Sequence, residues 1–255
     1  MKRLSFLQTG LSRGAAINEV DPGRWRLSLP SGPAGEYRWA QLDDYRDLAR
    51  SKFGWQPPAR LAARLRVSDG ALPGTWGFGL WNDPFSFNMG LGGMTRRLPV
   101  LPNAAWFFYA SPPNYLALRD NHPAQGLLAA TFSSPCIPSW MLAPLGLSLP
   151  LLLIPATARL LRWAARSLVN EEAILASVDA TEWHDYWIEW LAERVSFWVD
   201  GRLLLETGIS PRGRLGLVIW LDNQYLSFPP GGRLRAGTLA YEAEAWLEIE
   251  EQLPD

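Results

Sequence analysis

Residues 183–201 read W-H-D-Y-W-I-E-W-L-A-E-R-V-S-F-W-V-D-G, and this stretch decides the fold. Two runs, Trp183–Trp190 and Arg194–Val199, alternate with a period of two and are rich in aromatic and β-branched residues. That is the pattern of a strand with one buried face. The Asp200-Gly201 step then joins apolar runs, which is a hairpin signal. Working outward, Arg60–Val67 places Leu61, Ala63, Leu65 and Val67 on one face. Leu215–Leu221 and Leu239–Ile249 carry further strand patterning. With 22 glycines and 21 prolines, turns punctuate the chain throughout. Short alternating segments between turns predict an all-β sandwich of two antiparallel sheets.

Composition removes several classes of function. In 255 residues there are 24 Lys+Arg against 25 Asp+Glu, so bulk charge attracts no nucleic acid, and none is expected as a partner. Lys2 and Lys52 are the only lysines, which leaves Schiff-base chemistry almost without candidates. The single Cys136 forms no intramolecular disulfide, and with His122 and His184 it is too little for an ordinary zinc site. Gly77-Phe78-Gly79 and Gly90-Leu91-Gly92-Gly93 complete no nucleotide fingerprint, so no cofactor and no metal are expected. Gly10-Leu11-Ser12-Arg13-Gly14 matches a serine-hydrolase pattern but lacks the strand–turn–helix context the chemistry needs. The anomaly is aromatic: 14 tryptophans, which either all serve the core or serve it and also form a ligand-facing platform.

One region departs from the strand pattern. Asn121–Ala158 contains no Asp, Glu, Lys or Arg, and Met141–Ile154 is nearly all apolar. Prolines 138, 144, 150 and 155 interrupt it, whereas a membrane span wants about 20 uninterrupted apolar residues. Ala158–Leu168 then reads as a helix with Arg159, Arg162 and Arg166 on one face and Leu161, Trp163, Ala164 and Leu168 on another. The expectation is a single domain over 1–255 with an apolar helical insertion at 136–178. Packing on the protein, or a homodimer contact through 136–168, is favoured over peripheral membrane docking. Polar Gln8-Thr9 closes the short apolar run at the N-terminus, so the expected location is cytoplasmic.

The stretch from His184 to Gly201, with its Ile-Glu-Trp triplet and Val-Asp-Gly ending, resembles the family 16 glycoside hydrolases and their concanavalin A-like relatives. Gly74–Trp81, Leu215–Asn223 and Tyr241–Ile249 are similar to that family's inner and terminal strands, in the same order. The resemblance implies a jelly roll that binds ligands across a concave sheet. It also implies an E-x-D-x-x-E motif, which supplies two carboxylates for retaining hydrolysis. This chain lacks the motif: between Asp83 and Glu171 the only carboxylate is Asp120. The strand in the expected place, Ala105–Ala110, is uncharged.

The reading is therefore a non-hydrolytic relative that binds a glycan or an apolar small molecule on an aromatic concave face. Trp76, Phe78, Trp81, Trp106, Phe108 and Trp220 would form the platform, with Asn82, Asp83, Asp222 and Asn223 orienting the ligand. The alternative is an enzyme using Asp83, His184 or Asp222 as an acid–base group in an apolar pocket. A third reading is an interaction or membrane-peripheral protein. Asp43-Asp44 and Glu171-Glu172 are expected on solvated surface.

Overall fold

The computed structural model describes residues 6–84, 97–142, 154–231 and 234–251. Two seven-stranded antiparallel sheets pack face to face. In spatial order the first sheet holds β1 (Gln8–Leu11), β4 (Trp39–Asp43), β13 (Gly216–Asp222), β6 (Thr75–Trp81), β7 (Ala104–Ala110), β8 (Gly126–Ser133) and β9 (Asn170–Leu175). The second holds β12 (Arg202–Thr207), β11 (Arg194–Val199), β10 (His184–Leu191), β5 (Ala59–Val67), β16 (Ala245–Glu251), β3 (Arg24–Leu29) and β2 (Ala16–Asp21). A short ribbon of β14 (Gln224–Ser227) and β15 (Arg235–Thr238) stands apart. This is the all-β jelly-roll sandwich that the strand pattern and the resemblance imply.

The core lies between the sheets and follows from parity. Alternate residues of a strand face opposite sides. On β10, Tyr186, Ile188 and Trp190 turn inward; on β11, Val195, Phe197 and Val199 do. Trp76, Phe78 and Leu80 of β6 meet them from the first sheet, with Phe107 and Tyr109 of β7. Phe107 makes edge contacts with Tyr186 and Phe197 across the interface, ring centroids 4.9 and 5.5 Å apart. The hairpin between β11 and β12 turns at Asp200 and Gly201, with φ of 50° and 74°. Both central residues at positive φ make the type I′ turn that the Asp-Gly pair favours.

The outer face of the second sheet is charged. Glu248 is buried between Arg26 and Arg66, at 2.6 and 2.8 Å. Arg60 reaches Glu189 at 2.8 Å, and Arg66 lies over the rings of Trp183 and Trp246. Those tryptophans are consumed by cation–π packing on a solvated ladder.

Two expectations need correction here. Within 136–178, helix is found at 139–142 and in α1 (Pro155–Leu168), while 143–153 lies outside the described residues. Residues 170–175 are β9, paired along β8, and Ala176 and Val178 pack into the main core. The helical part therefore ends at Leu168. The strand read through Leu239–Ile249 begins only at Ala245. No described helix is long and apolar enough to cross a membrane.

Parity on β10 gives a direct check. Trp190 is fully buried, and its Nε1 donates to Ser210 Oγ at 3.0 Å. Trp187, on the opposite face, is exposed, with the Arg60 guanidinium over its ring. Trp190→Ala is expected to lower the unfolding free energy by about 3–5 kcal/mol. Trp187→Ala is expected to cost less than about 1 kcal/mol. Urea denaturation of both variants measures the difference.

Candidate functional site

The outer face of the first sheet carries what the second sheet's outer face does not: a continuous aromatic surface. On β6 the outward positions are Thr75, Gly77, Gly79 and Trp81. Gly77 lies between Trp220 of β13 and Phe108 of β7; Gly79 lies between Val218 and Trp106. A Cβ on Gly77 would come within 2.8 Å of the Trp220 ring and collide with the Phe107 carbonyl; one on Gly79 would collide with Trp106. The two bare positions let rings from β7 and β13 meet across the strand between them. Trp106 and Trp220 are 5.7 Å apart, as are Phe108 and Trp220, and Trp106 stacks on Phe108 at 5.4 Å. Trp81 stands 5.8 Å from Trp106, and Phe132 of β8 meets Trp106 edge-on at 6.0 Å.

The indole N–H groups are treated unequally. Trp81 Nε1 donates to Tyr45 Oη at 2.7 Å. Trp220 Nε1 donates to Thr75 Oγ1 at 3.0 Å, and Thr75 donates in turn to Asp222 Oδ1 at 2.8 Å. Trp106 Nε1 is buried and meets no acceptor among the described residues. Trp76 Nε1 is also unpaired, but on the core side. An unsatisfied buried N–H costs about 1–3 kcal/mol, so an acceptor atom beside Trp106 is worth more than one at an ordinary surface. Beside Trp106 opens a narrow pocket of about 30 Å³, lined by carbon from Phe108, Leu116, Leu128, Phe132 and Pro123, with His122 and Glu171 at its wall.

Polar groups frame the aromatic face at two ends. At one end, burial pushes the Asp222 carboxyl up to about 7, although Thr75, the Gln224 amide and Tyr37 all hydrogen-bond to it. At the other end, Gln41 donates to Asp43 and Tyr45, and burial raises Tyr45 well above an ordinary phenol.

Sequence reasoning placed the site residues unevenly. Trp81, Trp106, Phe108 and Trp220 come together on the outer face. Trp76 and Phe78 do not: the strand alternates, and both point into the core. Asn82 turns its side chain to the protein's own backbone. Its amide donates to Leu101 O and its Oδ1 accepts from Asn103 N, pinning the chain after β6. Asn223 is fully buried, donates to Glu36 O and Leu239 O, and accepts from Arg38 N. Asp83 is buried in an ion pair with Arg97 while Arg50 takes its carbonyl, so it braces a turn. His184 lies on the second sheet, its ring nitrogens 2.7 Å from Asp200 Oδ2 and 2.9 Å from Asp179 O. Asp222 alone of the three acid–base candidates borders the aromatic face. Ser12 Oγ accepts from Trp39 N, which leaves the serine-hydrolase match without a site.

Other residues were missed. Asp43 is fully buried against Arg46, and Glu171 is buried, accepting from Leu118 N and Arg119 N. Both were expected on the surface, because adjacent carboxylates read as solvated when their partners are distant in sequence. Phe132 and Leu128 lie on β8, whose run G-L-L-A-A-T-F-S does not alternate, and Tyr37, Thr75 and Tyr45 left no local signal. Among the described residues no three His, Cys, Asp or Glu stand together to hold a metal.

No protein-family model matches the chain. No curated protein matches it either. Among solved structures, it is similar to the κ-carrageenase from Pseudoalteromonas carrageenovora in complex with an oligotetrasaccharide (8% identity, TM-score 0.49, 98% of this chain and 88% of that one). It is similar to a Bacillus licheniformis β-glucanase (10%, 0.44, 97% and 94%). It is also similar to a legume lectin-like domain from Entamoeba histolytica (7%, 0.46, 96% and 90%). The likeness is one of chain path; at these identities no activity passes from them to this chain.

Asp222 makes stability depend on pH. Its folded value of about 7 exceeds the roughly 3.9 of an unfolded aspartate. Folding therefore takes up a proton between these values. The contribution is full below about pH 4 and is lost as pH rises through about 7. Discounted for the residue's partial exposure, it is on the order of 2 kcal/mol. The urea midpoint of the wild type is expected to fall between about pH 5 and 8 relative to Asp222→Asn. Parallel midpoints would place the proton elsewhere.

Proposed function

We propose that this chain is a non-hydrolytic binding protein that takes a small, largely apolar ligand against the outer aromatic face of its first sheet. The observation that carries the reading is the cluster of Trp81, Trp106, Phe108, Phe132 and Trp220 around the unpaired Trp106 Nε1. Stacking fixes the ligand's plane, and the free N–H selects an acceptor atom. The polar groups nearby are already spent on one another, which favours carbon over hydroxyls at the centre. The face also carries partly exposed indoles, Trp81 and Trp220, whose N–H groups are anchored away from the stacking plane. They suit the apolar side of a sugar ring, so a glycan is the second reading.

The placement of the carboxylates supports the non-hydrolytic reading. The outward positions of β7 are Ala104, Trp106, Phe108 and Ala110, so the strand that would supply a catalytic pair supplies none. Asp222 and Glu171 sit on β13 and β9, four strands apart, or about 19 Å. Asp222 and Asp43 are four residues apart along their paired strands, or about 13 Å. Retaining hydrolysis wants about 5–5.5 Å and inverting about 6.5–9.5 Å. Asp83 and Asp43 are each held by an arginine.

Titration of intrinsic fluorescence with a flat aromatic dye, a medium-chain fatty acid and β-gluco-oligosaccharides tests the reading. Saturable binding of the dye or the fatty acid is expected. Trp106→Phe, which keeps a ring and removes the N–H, is expected to weaken it at least about threefold, and Trp106→Ala about tenfold or more, on stacking and hydrogen-bond magnitudes. Mixed-linkage β-glucan, agarose and carrageenan should release no reducing ends. Turnover on any of them, or binding indifferent to both Trp106 variants, would overturn the proposal.

A further inference from the structure

The helix α1 turns Arg162 and Arg166 toward the protein and two of its largest apolar side chains, Leu160 and Trp163, toward water. The arginine side of a surface helix normally faces water. Here Arg162 is 3% exposed, bonding Phe228 O at 2.6 Å and Asp120 Oδ1 at 2.9 Å. Arg166 bonds Leu118 O and pairs with the other oxygen of Asp120, both at 2.6 Å. Arg162 also lies over the rings of Tyr115 and Phe228. These contacts fix the roll of the helix about its axis. The opposite side then points away from the protein. Leu160 is 63% exposed and Trp163 67%, and Ile154 and Leu168 at the two ends are exposed as well. Ala156 and Ser167 complete that side, which carries no charge, while exposed Arg159 stands on its shoulder.

We propose that this outward side of α1 seats the protein on a lipid bilayer interface. The helix cannot roll to hide the apolar side without breaking two arginine–aspartate contacts, so the exposure is built in. Leu160 and Trp163, about 60° apart around the helix axis, present on the order of 200 Å² of hydrocarbon, far short of the roughly 800 Å² per partner of a stable dimer. A bilayer needs no complementary surface: an apolar helical stripe sinks to the level of the acyl boundary. Tryptophan is the side chain that prefers that level. Arg159 would then lie at the depth of the lipid phosphates, where a cation is complementary.

Vesicle flotation with the full chain tests this. The probes are pure phosphatidylcholine vesicles and vesicles with a quarter of phosphatidylserine. The wild type is expected to float with both, somewhat more with the anionic mixture. Leu160→Ser/Trp163→Ser replaces two exposed side chains, so the fold should survive, checked by circular dichroism and thermal melting. Its partition is expected to drop at least tenfold. Equal flotation of the folded double variant would overturn the assignment to α1, and so would failure of the wild type to float. If the wild type instead forms a concentration-dependent dimer that the double variant abolishes, and neither floats, the face belongs to a second copy and the proposal is wrong.

Discussion

The contact between Trp106 and Trp220 across the bare backbone of Gly77 and Gly79 governs the outer face of the first sheet. In a sheet, rings two strands apart are normally separated by whatever side chains the middle strand turns outward. β6 turns out two hydrogens there. The gap lets aromatic residues of β7 and β13 close over the middle strand, with Trp81 joining at its end. The same strand sends Trp76, Phe78 and Leu80 inward, so its seven residues build the core on one side and the aromatic surface on the other. A methyl group at Gly77 would disturb both, since it meets the Trp220 ring outside and the Phe107 backbone beneath.

The two outer faces of the sandwich solve exposure differently. On the second sheet, arginines and glutamates alternate, and tryptophans lie under guanidinium groups. On the first, the rings satisfy one another, and the polar groups retreat to the ends. Asp222 is drawn out of water far enough to hold its proton near neutral pH. α1 adds a third solution, with charge turned inward onto Asp120 and hydrocarbon turned out.

Much of this was legible in the chain. Period-two runs gave β5, β10, β11 and β13 close to their true limits, and Asp200-Gly201 gave its hairpin. What failed was the assignment of faces. Gly77-Phe78-Gly79 offers no hint that its phenylalanine is core and its glycines face outward beneath the aromatic rings, because a strand's parity is set by partners far away in sequence. Asn82 and Asn223 looked like ligand groups for the same reason: their carbonyl and amide partners lie up to 187 residues away. The helical arginines left the orientation of their helix open. Amphipathicity finds two sides of a helix but not which one meets protein, and the deciding partner, Asp120, lies 42 residues before Arg162.

The proposal at stake is that a ligand lies against the aromatic face beside Trp106, whose N–H is buried. A crystal structure of the protein soaked with whichever probe binds most tightly in solution tests it most directly. The expected result is a ligand stacked among Trp81, Trp106 and Trp220, with an acceptor atom within hydrogen-bond distance of Trp106 Nε1. A ligand elsewhere on the molecule, with Trp106 Nε1 donating to a protein carbonyl and its ring covered by the protein's own chain, would contradict it.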